Sequence, residues 1–228
     1  MKKYKSIFLS DIHLGSQHCK SKQLFNMLQK IEAKNLFLVG DIITQNANSN
    51  NKDIEKFIEI INSKDWNIIY ILGNHEKDRI AQPIELSPQN PLKTYRQYIY
   101  HNGKQNIYLT HGDRFHSKDI FNKILKLTLS KIKKTAQKIE DKKYRGNAST
   151  LYHKKVKPIA QKYLHDSYVK YLTSLAHKNS CQSVICGHIH LPEIITNYKA
   201  TYFNCGDWIN NSSYIVENFN NEFELIEL

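Results

Sequence analysis

The sequence predicts an α/β protein whose parallel strands deliver polar side chains to one end of a sheet. Three observations carry that expectation. Apolar runs of strand length alternate with stretches of helical periodicity over the first third of the chain. Almost every apolar run is closed by a short block of Gly, Asp, Asn or His. A chain of 228 residues, 40% hydrophobic and 24% charged, is long and mixed enough for one domain with a sizeable core.

Residues 4–9 are apolar and aromatic enough for a buried strand, and Asp11-Ile12-His13 follows it. Leu24, Met27, Leu28 and Ile31 then fall on one face of a helix that Ser21 is placed to cap. Residues 36–39 form a second strand closed by Gly40-Asp41. Beyond a polar loop at 46–51, Ile54, Phe57, Ile58 and Ile61 mark a second helix face. Residues 66–72 make a third strand, closed by Gly73-Asn74-His75-Glu76. This β-α-β-α-β order implies parallel strands with right-handed crossovers, and ligands gather beyond the carboxyl ends of such strands.

Pro83, Pro88 and Pro91 exclude a long helix over 77–92. Residues 96–100 and 105–110 read as a hairpin turning at Asn102-Gly103, and its second strand leads to His111-Gly112-Asp113. Helical spacing follows over 119–139, with Ile120, Ile124, Leu129, Ile132 and Ala136, and again over 149–177, where Pro158 should kink or interrupt it. Two such helices between strands are an insertion, expected to form a hairpin over one side of the site. Residues 183–186 are another buried strand, closed by Gly187-His188-Ile189-His190. The remainder alternates like a β-meander, with strands at 194–196, 201–204, 213–217 and 223–226.

The net charge of +12 is concentrated in the insertion. Residues 114–180 hold 17 Lys+Arg against 4 Asp+Glu, while the rest of the chain is nearly balanced. A local anionic partner is implied: a phospholipid surface, nucleic acid or a phosphorylated substrate. No apolar stretch reaches membrane-spanning length. The basic start Met1-Lys2-Lys3 precedes an apolar run too short for a signal peptide and ended by Asp11, so a cytoplasmic protein is expected. The four cysteines form no C-x-x-C pair, which argues against a zinc ribbon or a disulfide framework.

The blocks at the strand ends offer Asp11, His13, Asp41, Asn74, His111, His188 and His190: carboxylates, imidazoles and an amide, with no thiolate. That donor set suits Mn²⁺, Fe²⁺, Zn²⁺ or Mg²⁺ in a reactive site rather than a structural zinc. Seven donors exceed what one transition ion takes, whereas two ions sharing a carboxylate use them all. Such a pair polarises water and clamps both oxygens of an in-line displacement at phosphorus. Any single block is a common polar turn; five of them at successive strand ends make a site. The neighbouring Gly40, Gly73, Gly112 and Gly187 are expected to let the backbone turn sharply.

In that order the five blocks resemble the calcineurin-like metallophosphoesterase family. The resemblance runs through nearly the whole chain and implies a four-layer αββα sandwich, with residues 1–228 as one domain and 114–180 as a helical lid within it. It also implies roles. Asp11, His13, Asp41 and His190 would hold one metal, and Asp41, Asn74, His111 and His188 the other, with Asp41 bridging. His75 would be a non-ligand acid that assists the leaving group.

A narrower resemblance joins the helical insertion to Val184-Ile185-Cys186-Gly187-His188-Ile189-His190 and Tyr202-Phe203-Asn204-Cys205-Gly206-Asp207-Trp208. These look like the UDP-2,3-diacylglucosamine diphosphatase-like branch, which cleaves the pyrophosphate of a lipid A precursor at the inner face of the membrane. Two manganese ions, a lipid-linked nucleotide substrate and peripheral contact with an anionic membrane would follow, with Arg79 and Arg114 as candidate substrate contacts. The branch's best-known enzymes carry arginine where this chain has His75, and aspartate is commoner at the position of Glu76. Two other readings compete. A nuclease or nucleotide phosphodiesterase would use the basic insertion to track a phosphate backbone, although Tyr152, Tyr163, Tyr168 and Tyr171 fall at core-like helical spacing. A non-catalytic interaction module, as in the retromer subunit of this superfamily, would be expected to lose ligands or the histidine after Asn74, and His75 is present.

Overall fold

The structure, a computed structural model, describes residues 1–44, 47, 51–76, 92–115 and 157–228, with backbone alone at 157–161 and 163. The chain divides into two compact units, Met1–Asp113 with Leu172–Leu228, and Arg114–Tyr171.

The first unit is built on two sheets. β1 (Lys2–Leu9), β2 (Ile31–Val39), β3 (Asn67–Ile71) and β4 (Lys93–Tyr95) run parallel, and β10 (Ser213–Glu217) and β11 (Phe223–Glu227) extend this sheet antiparallel beside β1. The second sheet has the order β5-β6-β7-β9-β8, from β5 (Gln97–His101), β6 (Asn106–Thr110), β7 (Ser183–Cys186), β8 (Glu193–Ile195) and β9 (Thr201–Asn204).

The apolar runs are continuous because both faces of the first sheet are covered, and successive side chains enter different cores. Ile7, Leu9, Leu36, Leu38, Ile68 and Tyr70 pack with Leu24, Leu28, Phe57 and Ile61 of the two helices α1 (Ser21–Lys30) and α2 (Lys52–Asn62). Their neighbours Phe8, Phe37, Val39, Ile69 and Ile71 meet Ile107, Leu109, Ile185 and Phe203 of the second sheet. Phe8 stacks on Phe37 across the parallel pair, with ring centroids 4.7 Å apart. Such a contact is worth about 0.5–1.5 kcal/mol beyond the area it buries. At the end away from the ligands, fully buried Glu217 accepts from Ser6 at 2.7 Å, Tyr100 at 2.9 Å and Asn102 at 2.9 Å. Lys5 lies 3.3 Å from the same carboxylate, so one charged cluster ties β1 and β10 to the β5–β6 hairpin.

Several expectations need correcting. Ser21 is the first helical residue, not the cap; Lys20 holds that position and makes no side-chain cap bond. Ile31 begins β2 instead of continuing the helix face, so the helix passes directly into a strand. In α2 the cap is Asn51, whose side chain accepts from the amides of Asp53 and Ile54. Residues 93–95, which carry no strand signal in the sequence, form a short exposed strand, β4. The last four strands are not a meander. β8 and β9 belong to the second sheet, where β9 runs parallel to β7, and β10 and β11 return to the first. Polar turns at similar spacing do not reveal that the chain crosses between sheets.

In the second unit, Phe115 packs edge-on against Tyr168, which is 2% exposed, and beside Tyr171. Both tyrosines lie on α3, Lys157–Lys178, whose last seven residues belong to the first unit. The expected helix at 119–139, Tyr152 and the loosened segment 77–91 lie outside the described residues. No helix among the described residues is long and apolar enough to cross a membrane.

Candidate metal centre

The ligand blocks meet because β1, β2 and β3 end side by side and their loops continue the ladder. Beyond β1 and β2, Asp11 N–H donates to Gly40 O at 3.0 Å, His13 N–H to Asp41 O at 3.0 Å and Leu14 N–H to Ile42 O at 2.8 Å. The second sheet joins through Gly187 N–H to His111 O at 3.2 Å and Trp208 N–H to Asp11 O at 3.1 Å.

The backbone at these positions is strained. Asp11, His13, Asp41, His188 and His190 all have φ between 50° and 73°. A non-glycine residue in this left-handed region costs on the order of 1–2 kcal/mol, so the surrounding hydrogen bonds must hold it. Gly40 also turns with positive φ, and a Cβ there would lie 2.5 Å from the His111 ring. Gly73 and Gly187 are needed for a reason other than the expected sharp turn. A Cβ on Gly73 would collide with the Asp41 carboxylate, and one on Gly187 with Ser10 and the Asp11 carboxylate.

Asp11 is fully buried, and one of its oxygens accepts from Ser10 Oγ at 2.6 Å and from His188 N–H at 2.8 Å. The other, Oδ1, lies 3.2 Å from His190 Nε2 and 3.9 Å from His13 Nε2, yet has no hydrogen-bond partner. His13 Nε2 is likewise buried and without one. Two orphaned polar atoms turned toward each other would be costly unless something positive lies between them. That arrangement fits a bound cation. Asp11, His13 and His190 can each bring one ligand atom within 4.8 Å of the others, as can Asp11, Asp41 and His111.

Asp41 Oδ1 accepts His75 N–H at 2.9 Å, and Oδ2 lies 3.3 Å from His111 Nε2 and 3.7 Å from His75 Nε2. His111, 1% exposed, donates Nδ1–H to Val39 O at 3.0 Å, which leaves Nε2 facing Asp41 and Asn74 Oδ1, the latter at 3.3 Å. His188 reaches the group edge-on to His111 with centroids 5.2 Å apart, and His13 lies 5.4 Å from the His190 ring. The structure thus brings together Asp11, His13, Asp41, Asn74, His75, His111, His188 and His190. Geometry alone does not set His75 apart from the candidate ligands, since it forms a further compact triple with His13 and Asp41. Arg114 is exposed and begins the second unit, and Arg79 lies outside the described residues.

Charge follows this geometry. Burial works to raise Asp41, but the hydrogen bond and charge of His111 hold it well below the usual carboxylate range. Asp11 is also lowered against its burial, by His111 and His190. For His111, burial opposes protonation, yet Asp11 and Asp41 push it up to about 9. The carboxylates of Asp11 and Asp207, one facing each ring nitrogen, raise His190 to about 10. Burial lowers His13. Ionised carboxylates that hold protons on imidazoles would hold a divalent ion by the same attraction, releasing those protons as it binds.

Two supporting carboxylates were absent from the expected set. Glu76, 6% exposed, accepts Asp41 N–H at 2.9 Å, Ile42 N–H at 2.8 Å, Gly73 N–H at 2.8 Å and Tyr70 O–H at 2.8 Å. Asp207, fully buried, accepts from His190 Nδ1 at 2.9 Å. A signal for the second was present: Gly206-Asp207 follows the apolar strand at 201–204 just as Gly40-Asp41 follows β2.

A family model described as calcineurin-like phosphoesterase matches residues 4–192. A search of curated proteins finds no match. Among solved structures, an archaeal phosphodiesterase superposes with a TM-score of 0.51 at 13% identity, covering 98% of this chain and 99% of that one. A single mutant of Vps29 from Entamoeba histolytica gives 0.50 at 12% identity, covering 98% of both chains. These two likenesses concern the fold, and the family match spans most of the sequence. The chain belongs to the calcineurin-like phosphoesterase family, as a metal-dependent hydrolase of phosphoric esters.

Proposed function

We propose that the centre holds two divalent ions, manganese first among them, and hydrolyses the pyrophosphate or phosphodiester bond of a lipid-linked nucleotide resembling UDP-2,3-diacylglucosamine. The observation that carries the two-ion reading is the pair of orphaned atoms, Asp11 Oδ1 and His13 Nε2, beside an Asp41 carboxylate that also reaches toward His111. Asp11, His13, Asp41 and His190 would hold one ion, and Asp41, Asn74, His111 and His188 the other. When bound, the ions supply Lewis acidity toward the phosphoryl oxygens and activate water for in-line attack.

The chain's own part is orientation and proton transfer. Val39 O fixes His111 with Nδ1 protonated, so Nε2 faces Asp41 and Asn74. Ser10 and the His188 amide occupy one oxygen of Asp11 and leave the other for the site. His75 is 30% exposed at its side chain and its amide is anchored on Asp41, so its ring can meet substrate without leaving the cluster. In this reading it donates a proton to the departing oxygen.

The lipid-linked substrate is supported by the basic balance of residues 114–180 and by the runs 184–190 and 202–208 that resemble the diacylglucosamine branch. A basic, partly apolar lid would dock on an anionic membrane surface and admit a lipid whose phosphates then meet the ions. The test is a Mn²⁺-supplemented comparison of UDP-2,3-diacylglucosamine, bis-p-nitrophenyl phosphate and single-stranded DNA. Preferred turnover of the lipid nucleotide supports the reading. Preferred cleavage of DNA, with strong salt dependence, would replace it with a nuclease.

A further inference from the structure

Asp207 stands outside the ligand set, yet its two oxygens have sharply divided work. Oδ1 accepts three backbone amides, from Ile209 at 3.0 Å, Asn210 at 2.6 Å and Asn211 at 3.0 Å. Oδ2 accepts from His190 Nδ1 at 2.9 Å, with the Asn211 side-chain amide at 3.3 Å. Asn211 also donates to His190 O at 3.0 Å, and Trp208, which follows Asp207, donates its N–H to Asp11 O. One turn, anchored by the buried Asp207 and Trp208, therefore grips His190 by ring and backbone and Asp11 by its carbonyl.

The geometry points to Asp207 as the positioning residue that fixes the tautomer of His190. This rests on the reading of His190 as a ligand. An imidazole has one lone-pair nitrogen when neutral, and which one is set by the hydrogen bond at the other. With its proton directed from Nδ1 to Asp207, His190 presents Nε2 to Asp11 Oδ1, 3.2 Å away, where an ion would be shared. A carboxylate behind a ligating imidazole also raises its basicity and holds its plane.

The division of labour makes one substitution decisive. In Asp207→Asn the three backbone amides retain the remaining oxygen at the Oδ1 position. The new NH2 must then occupy the Oδ2 position, where it faces the His190 Nδ1–H and the side-chain amides of Asn211 and, at 3.5 Å, Asn210. His190 is relieved by moving its proton to Nε2, and that nitrogen can no longer ligate. The turn keeps its three amide bonds, so the effect separates from folding.

The experiment is Zn²⁺ affinity of the full chain by chelator competition, with thermal unfolding and ¹⁵N-histidine NMR of the Zn²⁺-loaded protein, for native, Asp207→Asn and His190→Ala chains. Asp207→Asn is expected to keep a cooperative unfolding transition without metal, with a midpoint lowered by the lost His190–Asp207 charge pair, and to bind one of two ions roughly 10–100-fold more weakly while the other is held as in the native chain. In the native protein the His190 proton should reside on Nδ1. Native-like affinity in Asp207→Asn, while His190→Ala loses an ion, overturns the positioning role and leaves the site intact. Unchanged affinity for both ions in His190→Ala overturns instead the assignment of His190 as a ligand. Equal weakening of both ions with a lowered midpoint makes Asp207 a folding residue and also overturns the inference. Should Asp207→Asn fail to fold, the native spectrum decides, since an unprotonated Nδ1 on His190 is incompatible with it.

Discussion

Glu76 Oε2 accepts the backbone N–H of Asp41 at 2.9 Å, so the acid next to His75 holds the carboxylate proposed to join two metals. The same oxygen takes Gly73 N–H, and Oε1 takes Ile42 N–H and Tyr70 O–H. One side chain thereby locks the β2 loop to the β3 loop at the strained residue Asp41, whose φ is 53°.

Glu76→Gln turns one of these oxygens into a donor among donors. Leaving a buried amide unsatisfied costs about 1–3 kcal/mol. The expected outcome is a clear fall in urea midpoint together with weaker metal binding, because Asp41 is no longer held. Tyr70→Phe removes one partner only and should cost about 1 kcal/mol. Equal stability of Glu76→Gln and the native chain would show that this clasp is not what holds Asp41.

Metal counting separates the roles of Asp41 and His75. Asp41→Asn should abolish turnover and reduce the bound metal, as measured by elemental analysis of the purified protein. His75→Ala should keep both ions while kcat falls by roughly 10²–10⁴. Loss of metal from His75→Ala would instead place its ring among the ligands, which its nearness to His13 and Asp41 permits.

The basic insertion carries the membrane proposal. A single Lys or Arg near an anionic bilayer contributes only about 1 kcal/mol, so several must act together. Replacing Lys131, Lys133, Lys134 and Lys138 with glutamine is expected to reduce sedimentation with anionic liposomes. Hydrolysis of bis-p-nitrophenyl phosphate should be spared. Recovery of the native protein in the supernatant at low salt, whatever the lipid charge, would remove membrane docking from the proposal.

The cysteines give a pH prediction. Burial first, then the nearby Asp53 carboxylate, pushes Cys19 up to about 12, and burial drives Cys205 well above its ordinary value. A folded-state value above the unfolded one, about 8.5, means that the contribution to stability is complete below that pH. It is lost as pH rises toward the folded value. At pH 8 the native protein should therefore show almost no rapid reaction with a thiol-disulfide reagent, and four thiols after unfolding in urea. Immediate reaction of Cys19, which is only partly buried, would contradict its raised pKa.

The sequence by itself determined the first strands of the sheet and the polar blocks that follow them. Each block follows its own strand within a few residues, so local patterning of apolar run, glycine and polar donor is enough to find it. Asp11, His13, Asp41, Asn74, His111, His188 and His190 were legible in this way as candidates, and the family resemblance gave the second sheet.

Tertiary structure decided what lies across long separations. Alternate residues of β1, such as Ile7 and Phe8, look equally apolar in sequence, yet one meets helices and the other a second sheet. The clasp of Glu76 on Asp41 spans 35 positions, and that of Asp207 on His190 spans 17. Glu76 has no local signature, and Gly206-Asp207 repeats the Gly-Asp pattern without showing which histidine it holds, because a buried carboxylate is defined by the donors that surround it. The left-handed backbone of Asp11, His13, Asp41, His188 and His190 is likewise disfavoured locally. It persists because hydrogen bonds between strands distant in sequence hold it in place.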